Sequence, residues 1–299
     1  MKVLITGASG MVGRNLTEYL RSKKVDVIPT DVSGWPVSGD ILDTDFVFTK
    51  LASLEFDAVV HLAAVTEIRK TVENPALCFK VNCLGTLNML ELALKKNVSR
   101  FVYASSANIF GAPKRNPVSE NSPIAPRVPY DYSKVIGENM VMSFFKSKNL
   151  PVSITRSWLL FGEYDQPTRA TIRFIRACLG REPITLYNGG RDKTAPSHAT
   201  NYSRLVHTIL INEKAVGEAF NFGGEKAVTI RELAQIVKRL TGSETKLILA
   251  PARTELEKQP QVSYPNITKL RRLLGYKHEL TLEQGLKRTI RWVEAGLKQ

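Results

Sequence analysis

The chain has 299 residues, 43% of them hydrophobic and 23% charged, with a formal net charge of +14 and three cysteines. That balance is ordinary for a globular protein and excludes a disordered or fibrous one. No run approaches the ~18 uninterrupted apolar residues of a membrane span, and Thr6-Gly7 cuts the first apolar run short of a signal-peptide core. Cys78, Cys83 and Cys178 are odd in number and lack metal-ligand spacing, so reduced thiols, a cytoplasmic setting and no metal are expected. Lysines and arginines are spread along the whole chain, as in Lys23-Lys24, Lys95-Lys96 and Arg271-Arg272. They read as a solvated surface first, as a field attracting an anionic, diphosphate-bearing molecule second, and as a nucleic-acid face only third.

Through residue 160 short apolar runs alternate with helical patterns, which predicts an α/β fold with a doubly wound parallel sheet of Rossmann type. Lys2–Thr6 reads as a buried strand, Gly13–Lys23 as a helix, Val25–Pro29 and Phe56–Leu62 as strands. Asn74–Lys96 carries a helical pattern with Leu84, Leu87, Leu90 and Leu94 on one expected face. Arg100–Ala104 is a strand running into Ser105-Ser106, a Pro- and Ser-rich loop spans Gly111–Pro129, a helix covers Tyr130–Lys148, and Val152–Thr155 is a strand. Helices follow at Thr168–Leu179, Tyr202–Asn212, Thr229–Leu240 with Thr229 as its cap, Thr268–Leu274 and Leu282–Ala295. The expected division is a dinucleotide-binding domain over 1–160, onto which about 195–212 pack back, and a smaller helix-rich substrate lobe over 161–299.

Gly7, Gly10 and Gly13 form a G-x-x-G-x-x-G turn between the first strand and the first helix. Gly7 permits the tight turn, Gly10 lets backbone approach a pyrophosphate, Gly13 lets helix pack on strand, and the first-turn N–H groups, Met11 and Val12 included, face the anion. Asp31 closes the second strand about 20 residues on, where a carboxylate accepts a ribose hydroxyl and repels a 2′-phosphate, which favours NAD over NADP. Tyr130 and Lys134 stand four apart at a helix start, on one face. A nearby ammonium, helped by a positive nicotinamide ring, stabilises phenolate, so Lys134 and the cofactor together are expected to lower the Tyr130 pKa and make it a general base, with Ser106 donating to the same substrate oxygen.

The chain resembles an extended short-chain dehydrogenase/reductase of the NAD-dependent epimerase/dehydratase group acting on nucleotide sugars. The likeness rests on Thr6–Gly13, Gly39-Asp-Ile-Leu-Asp43, His61-Leu-Ala-Ala64, Val81–Asn88, Ser105–Gly111, Pro129–Lys134 and Gly137-Glu138. It implies that Asp40 and Ile41 hold the adenine, that Leu62, Ala63 and Ala64 line the cofactor path, and that Asn82 supports the site. Ser106, Tyr130 and Lys134 become the catalytic set, Tyr130 and Lys134 also touching cofactor. Ser106, Asn108, Tyr130 and Arg253, the last as a diphosphate-binding arginine, become substrate contacts. A homodimer through the helices at Asn74–Lys96 and Tyr130–Lys148 is implied too, and His61 reads as structural.

Dehydratases of the group carry an Asp-Glu pair after the serine and its decarboxylases a glutamate, whereas this chain has Ala107 and Asn108, which transfer no proton. The pattern there is similar to hexose 4-epimerases such as those of UDP-glucose and UDP-galactose. Thr155–Gly162, with Leu159 where epimerases carry asparagine, and Asp192–Ala199 look more like NAD(P)H-dependent 4-keto-6-deoxysugar reductases. A non-catalytic regulatory or RNA-binding relative is the third reading, against which the intact Ser106, Tyr130 and Lys134 stand.

Overall fold

The computed structural model describes residues 1–252 and 255–297. The strands of the main sheet are β1 (Lys2–Thr6), β2 (Asp26–Asp31), β3 (Val37–Ser38), β4 (Ala58–His61), β5 (Arg100–Ser106), β6 (Val152–Ser157) and β7 (Glu218–Phe222). They pair in the order β3-β2-β1-β4-β5-β6-β7, every pair parallel. Parallel strands covered on both faces should read as continuous apolar runs, and Val3–Ile5 and Ala58–Val60 are completely buried. The chain leaves β1 toward β2 on one side and toward β4 on the other. That reversal opens the crevice beyond the carboxyl ends of the strands, where ligands dock in such sheets.

The helices are α1 (Met11–Ser22), α2 (Pro75–Lys95), α3 (Pro129–Lys148), α4 (Ala170–Leu179), α5 (Ala199–Leu210), α6 (Ile230–Thr241) and α7 (Leu282–Leu297). One face of the sheet packs against α1 and α5 through Leu16, Leu20, Tyr202, Leu205, Val206 and Ile209. The other packs against α2 and α3 through Met89, Leu90, Leu92, Ala93 and Val141. Each fully buried leucine contributes about 2 kcal/mol. A third cluster, around Phe174, Ile175, Leu233, Val237, Leu286 and Ile290, gathers α4, α6 and α7 with the parallel pair Ile184–Tyr187 and Leu247–Ala250 into a smaller lobe.

Two departures from the sequence reading bear on function. Glu218–Phe222 was not read as a strand, yet it is the sheet's edge, paired along its length with β6. The sheet thus draws β7 from beyond residue 161, and α5, within the 195–212 segment, packs on the same sheet. The leucines of α2 do not share one face either. Leu90 is fully buried, while Leu84 is 49% and Leu94 37% exposed. At 100° per residue these leucines fan over about a third of the helix circumference, and the buried face is centred on Thr86, Met89 and Ala93. By length and composition α2 is the one helix among the described residues that could cross a membrane, yet half of that apolar window is buried inside this fold.

Helix α3 is held to the sheet by charge as well as apolar contact. Arg156 on β6 reaches the Glu138 carboxylate through Nη2 at 2.7 Å and Nε at 2.9 Å, both side chains being more than nine-tenths buried. A third bond runs from Arg156 Nη1 to the Glu120 carbonyl at 2.9 Å. Removing one partner strands a buried charge. Glu138→Gln should cost about 3–5 kcal/mol in urea unfolding, whereas Glu138→Leu combined with Arg156→Met should recover most of that loss.

Candidate active site

The turn after β1 is built so that only glycine fits. Gly7 has φ +71°, and a Cβ there would stand 2.6 Å from the Ala63 nitrogen; one on Gly13 would stand 2.3 Å from the Gly7 carbonyl oxygen. Gly10 caps α1 in extended conformation, which leaves the N–H groups of the first helical turn, at Met11, Val12 and Gly13, without intrahelical partners. Met11 and Val12 are half-buried at the crevice edge. The Asp31 carboxylate, at the end of β2, accepts from the Ser9 N–H at 2.9 Å and the Val32 N–H at 2.7 Å, so the acid is fixed beside the turn. A narrow cradle of backbone donors, the positive end of a helix and an adjacent carboxylate fit a dinucleotide diphosphate and its ribose.

Neighbouring positions complete that cradle. The exposed Asp40 folds back on the Leu42 N–H at 2.9 Å, while Ile41 is buried and its carbonyl accepts from Asn88 Nδ2 at 2.8 Å. Gly85 makes room for Ile41, since a Cβ there would stand 2.5 Å from Cδ1. Leu62, Ala63 and Ala64 follow β4 half-buried along the crevice. His61 sits between Thr6 Oγ1 at 2.7 Å and Thr86 Oγ1 at 3.0 Å, and burial with the nearby Lys134 charge pushes it down to about 3. It is neutral at physiological pH and carries no proton to the site.

The structure brings Ser106, Tyr130 and Lys134 together at the crevice floor. β5 ends at Ser106, whose Oγ accepts from the Asn108 N–H at 3.2 Å and starts a short turn over Ala107–Phe110. Ala107 is buried and Asn108 half-buried, so no carboxyl side chain follows the serine. Pro129 opens α3, and Asp131 accepts from the Arg127 N–H at 3.0 Å and the Val128 N–H at 3.3 Å to lock its start. Asn82 of α2 ties three pieces together. It donates to Ser133 Oγ at 2.9 Å and to the Val65 carbonyl at 3.1 Å, while Oδ1 accepts from the Val65 N–H at 2.7 Å. Ser133 Oγ in turn donates to the Tyr130 carbonyl at 2.7 Å.

Burial dominates the electrostatics of this pair. Lys134 Nζ donates to the Ala104 carbonyl at 2.7 Å and lies 5.9 Å from the Tyr130 ring centre and 5.0 Å from that of Tyr103. Burial pushes its pKa down to about 8. Tyr130 is held above the usual tyrosine value, because burial outweighs its hydrogen bond with Ser106 and the positive charge of Arg169. Lys134 alone therefore does not lower Tyr130. A cationic ring bound beside it would add positive charge and favour the phenolate. Arg169, at the N-cap of α4, went unread in the sequence, because nothing in residues 163–169 announces that this loop reaches the tyrosine. Arg253 lies outside the described residues.

A family model described as the NAD dependent epimerase/dehydratase family matches residues 3–223. The chain belongs to that family. Its cofactor is NAD, and it is an enzyme of the oxidoreductase or isomerase type. Similar proteins include a putative UDP-glucose 4-epimerase of Methanocaldococcus jannaschii, 29% identical over 98% of this chain and 98% of that one. UDP-glucuronic acid decarboxylase 1 of Danio rerio is 29% identical over 99% of this chain and 73% of that protein. A solved epimerase structure from Methanothermobacter thermautotrophicus superposes with a TM-score of 0.91 at 28% identity, covering 99% of this chain and 93% of the other.

For this epimerase/dehydratase the buried ammonium has a testable cost. A lysine whose pKa falls from 10.5 to about 8 loses on the order of 3 kcal/mol of stability below pH 8, where folded and unfolded forms are both protonated. That penalty fades as pH rises from 8 toward 10.5. Lys134→Met should therefore melt no lower than the parent at pH 7 in calorimetry, the penalty offsetting the lost bond to Ala104. Turnover should fall at least 100-fold. A large drop in melting temperature would contradict this.

Proposed function

We propose that the protein is an NAD-dependent nucleotide-sugar epimerase, of the UDP-glucose/UDP-galactose 4-epimerase type, working through a transient 4-keto sugar. The observation that carries the reading is the buried Ser106–Tyr130–Lys134 set with a methyl and an amide, and no carboxyl group, immediately after the serine. Bound at the glycine turn and Asp31, NAD supplies the hydride acceptor and later the donor. Tyr130 takes the proton of the sugar hydroxyl as the carbon is oxidised. Ser106 donates to the same oxygen, and Lys134, positioned by the Ala104 carbonyl, stabilises the phenolate. A keto sugar that turned in the site would then take its proton back from Tyr130. Dehydration and decarboxylation each need a further proton carrier, which Ala107 and Asn108 cannot be. Asn108 and Arg253 are proposed as substrate contacts.

One observation favours a second reading, an NAD(P)H-dependent 4-keto-6-deoxysugar reductase. Leu159 packs against the apolar core of the smaller lobe, so no polar group faces the sugar there. Incubation with UDP-glucose or UDP-galactose separates the two. The epimerase interconverts them without added cofactor and without net change at the NADH absorbance band, and Tyr130→Phe lowers the rate by at least 100-fold. Steady NADH consumption with a keto sugar would overturn it in favour of the reductase.

A homodimer is part of the proposal. Leu77 and Leu84 on α2, Tyr132 and Ile136 on α3, and Ile68 and Val72 just before α2 are each 41–54% exposed. They form an apolar face on helices adjoining the sheet, which a second copy would cover isologously. Leu84→Glu with Ile136→Glu should shift the light-scattering mass from two chains to one.

A further inference from the structure

The connection from β6 to α4 is clamped between α1, α5 and α7, beside the first turns of α1. Gly162 passes so close to α5 that a Cβ would stand 3.1 Å from that of Ala199. At Glu163 the backbone carbonyl accepts from Asn15 Nδ2 at 2.9 Å, while the same Nδ2 also donates to the Met11 carbonyl at 2.9 Å. One amide thus joins the first turn of the phosphate-binding helix to the strap. The Glu163 carboxylate contacts Arg288 of α7 and stands 3.1 Å from His198 Nε2. His198 Nδ1 accepts from the Thr200 N–H at 3.1 Å, so Nε2 carries the ring proton toward the acid. Burial would raise this carboxyl, yet His198 and Arg288 hold it down to about 2.

Tyr164 comes next, with φ +65°, a left-handed conformation unusual for a side chain of that size. Its hydroxyl donates to Glu18 of α1 at 2.6 Å, its ring lies 5.3 Å under the Arg14 guanidinium, and Trp292 of α7 packs at 5.6 Å. Arg14 Nε donates to the Ser9 carbonyl inside the glycine turn at 3.1 Å. The strap closes with Asp165, buried, and with Arg169, whose charge acts on both Asp165 and Tyr130. Residues 162–169 therefore run from the helix that receives the diphosphate to the tyrosine at the reacting end. Backbone strain and a buried ionised acid persist only where surrounding contacts over-determine a segment, and they mark segments whose position matters.

We propose that this strap keeps the dinucleotide resident between turnovers, with Glu163 as its anchor and Tyr164 as its latch. Both are positioning residues that touch neither sugar nor reacting atoms. The inference rests on NAD docking at the glycine turn and holds whichever reaction the site performs, so it can fail while the epimerase reading stands, and the reverse. The probe is NAD itself. Protein loaded with radiolabelled NAD is diluted into unlabelled NAD, and retained label is followed with time by gel filtration.

Tyr164→Phe loses only the bond to the Glu18 carboxylate and should exchange label about tenfold faster, as a hydrogen bond to a charged group implies. Tyr164→Gly also releases the strain and should exchange faster still. In both, the melting temperature of the cofactor-free protein should stay within a few degrees of the parent, which separates a latch from a general structural prop. Glu163→Gln should behave like Tyr164→Gly; should it fail to fold, the two Tyr164 variants decide. Exchange within twofold of the parent in folded Tyr164→Phe and Tyr164→Gly would overturn the proposal. So would a melting temperature that falls in step with faster exchange.

Discussion

The rest of the site depends on one buried cation. Lys134 lies under Tyr130 with its ammonium fixed to the Ala104 carbonyl, more than nine-tenths removed from water. A charge in that position is costly, and the surrounding architecture serves to keep it there. Asn82 pins the start of α3 through Ser133, Asp131 locks its first turn, and the Arg156–Glu138 pair fastens its middle to β6. Asn82 and the Arg156–Glu138 pair are each held by several hydrogen bonds, which stiffens the start and middle of α3.

The resting electrostatics follow from the same burial. Desolvation pushes the Lys134 amine down and the Tyr130 hydroxyl up, so each is driven toward its neutral form. By itself Tyr130 is thus a poor base near neutral pH, and added positive charge, such as an oxidised nicotinamide ring carries, would favour its phenolate.

Much of this was legible in the sequence, for a physical reason. Glycine at 7 and 13 is dictated by backbone contacts of 2.6 and 2.3 Å, and Asp31, Ser106, Tyr130 and Lys134 lie at strand or helix ends that short-range patterns reveal. What escaped was set by long-range packing. β7 is a five-residue strand recognised only by its pairing with β6, and the strap's residues matter through partners more than 100 positions away, as Glu163 with Arg288 and Tyr164 with Glu18. No local period encodes such contacts.

The measurement closest to the central claim is an ultraviolet difference titration of the phenolate band, parent against Tyr130→Phe, with and without saturating NAD. The account predicts that the Tyr130 transition lies above the usual tyrosine range in the cofactor-free protein and moves down when NAD is bound, as a general base requires. A transition already near neutrality without NAD, or one that NAD leaves unmoved, would contradict it.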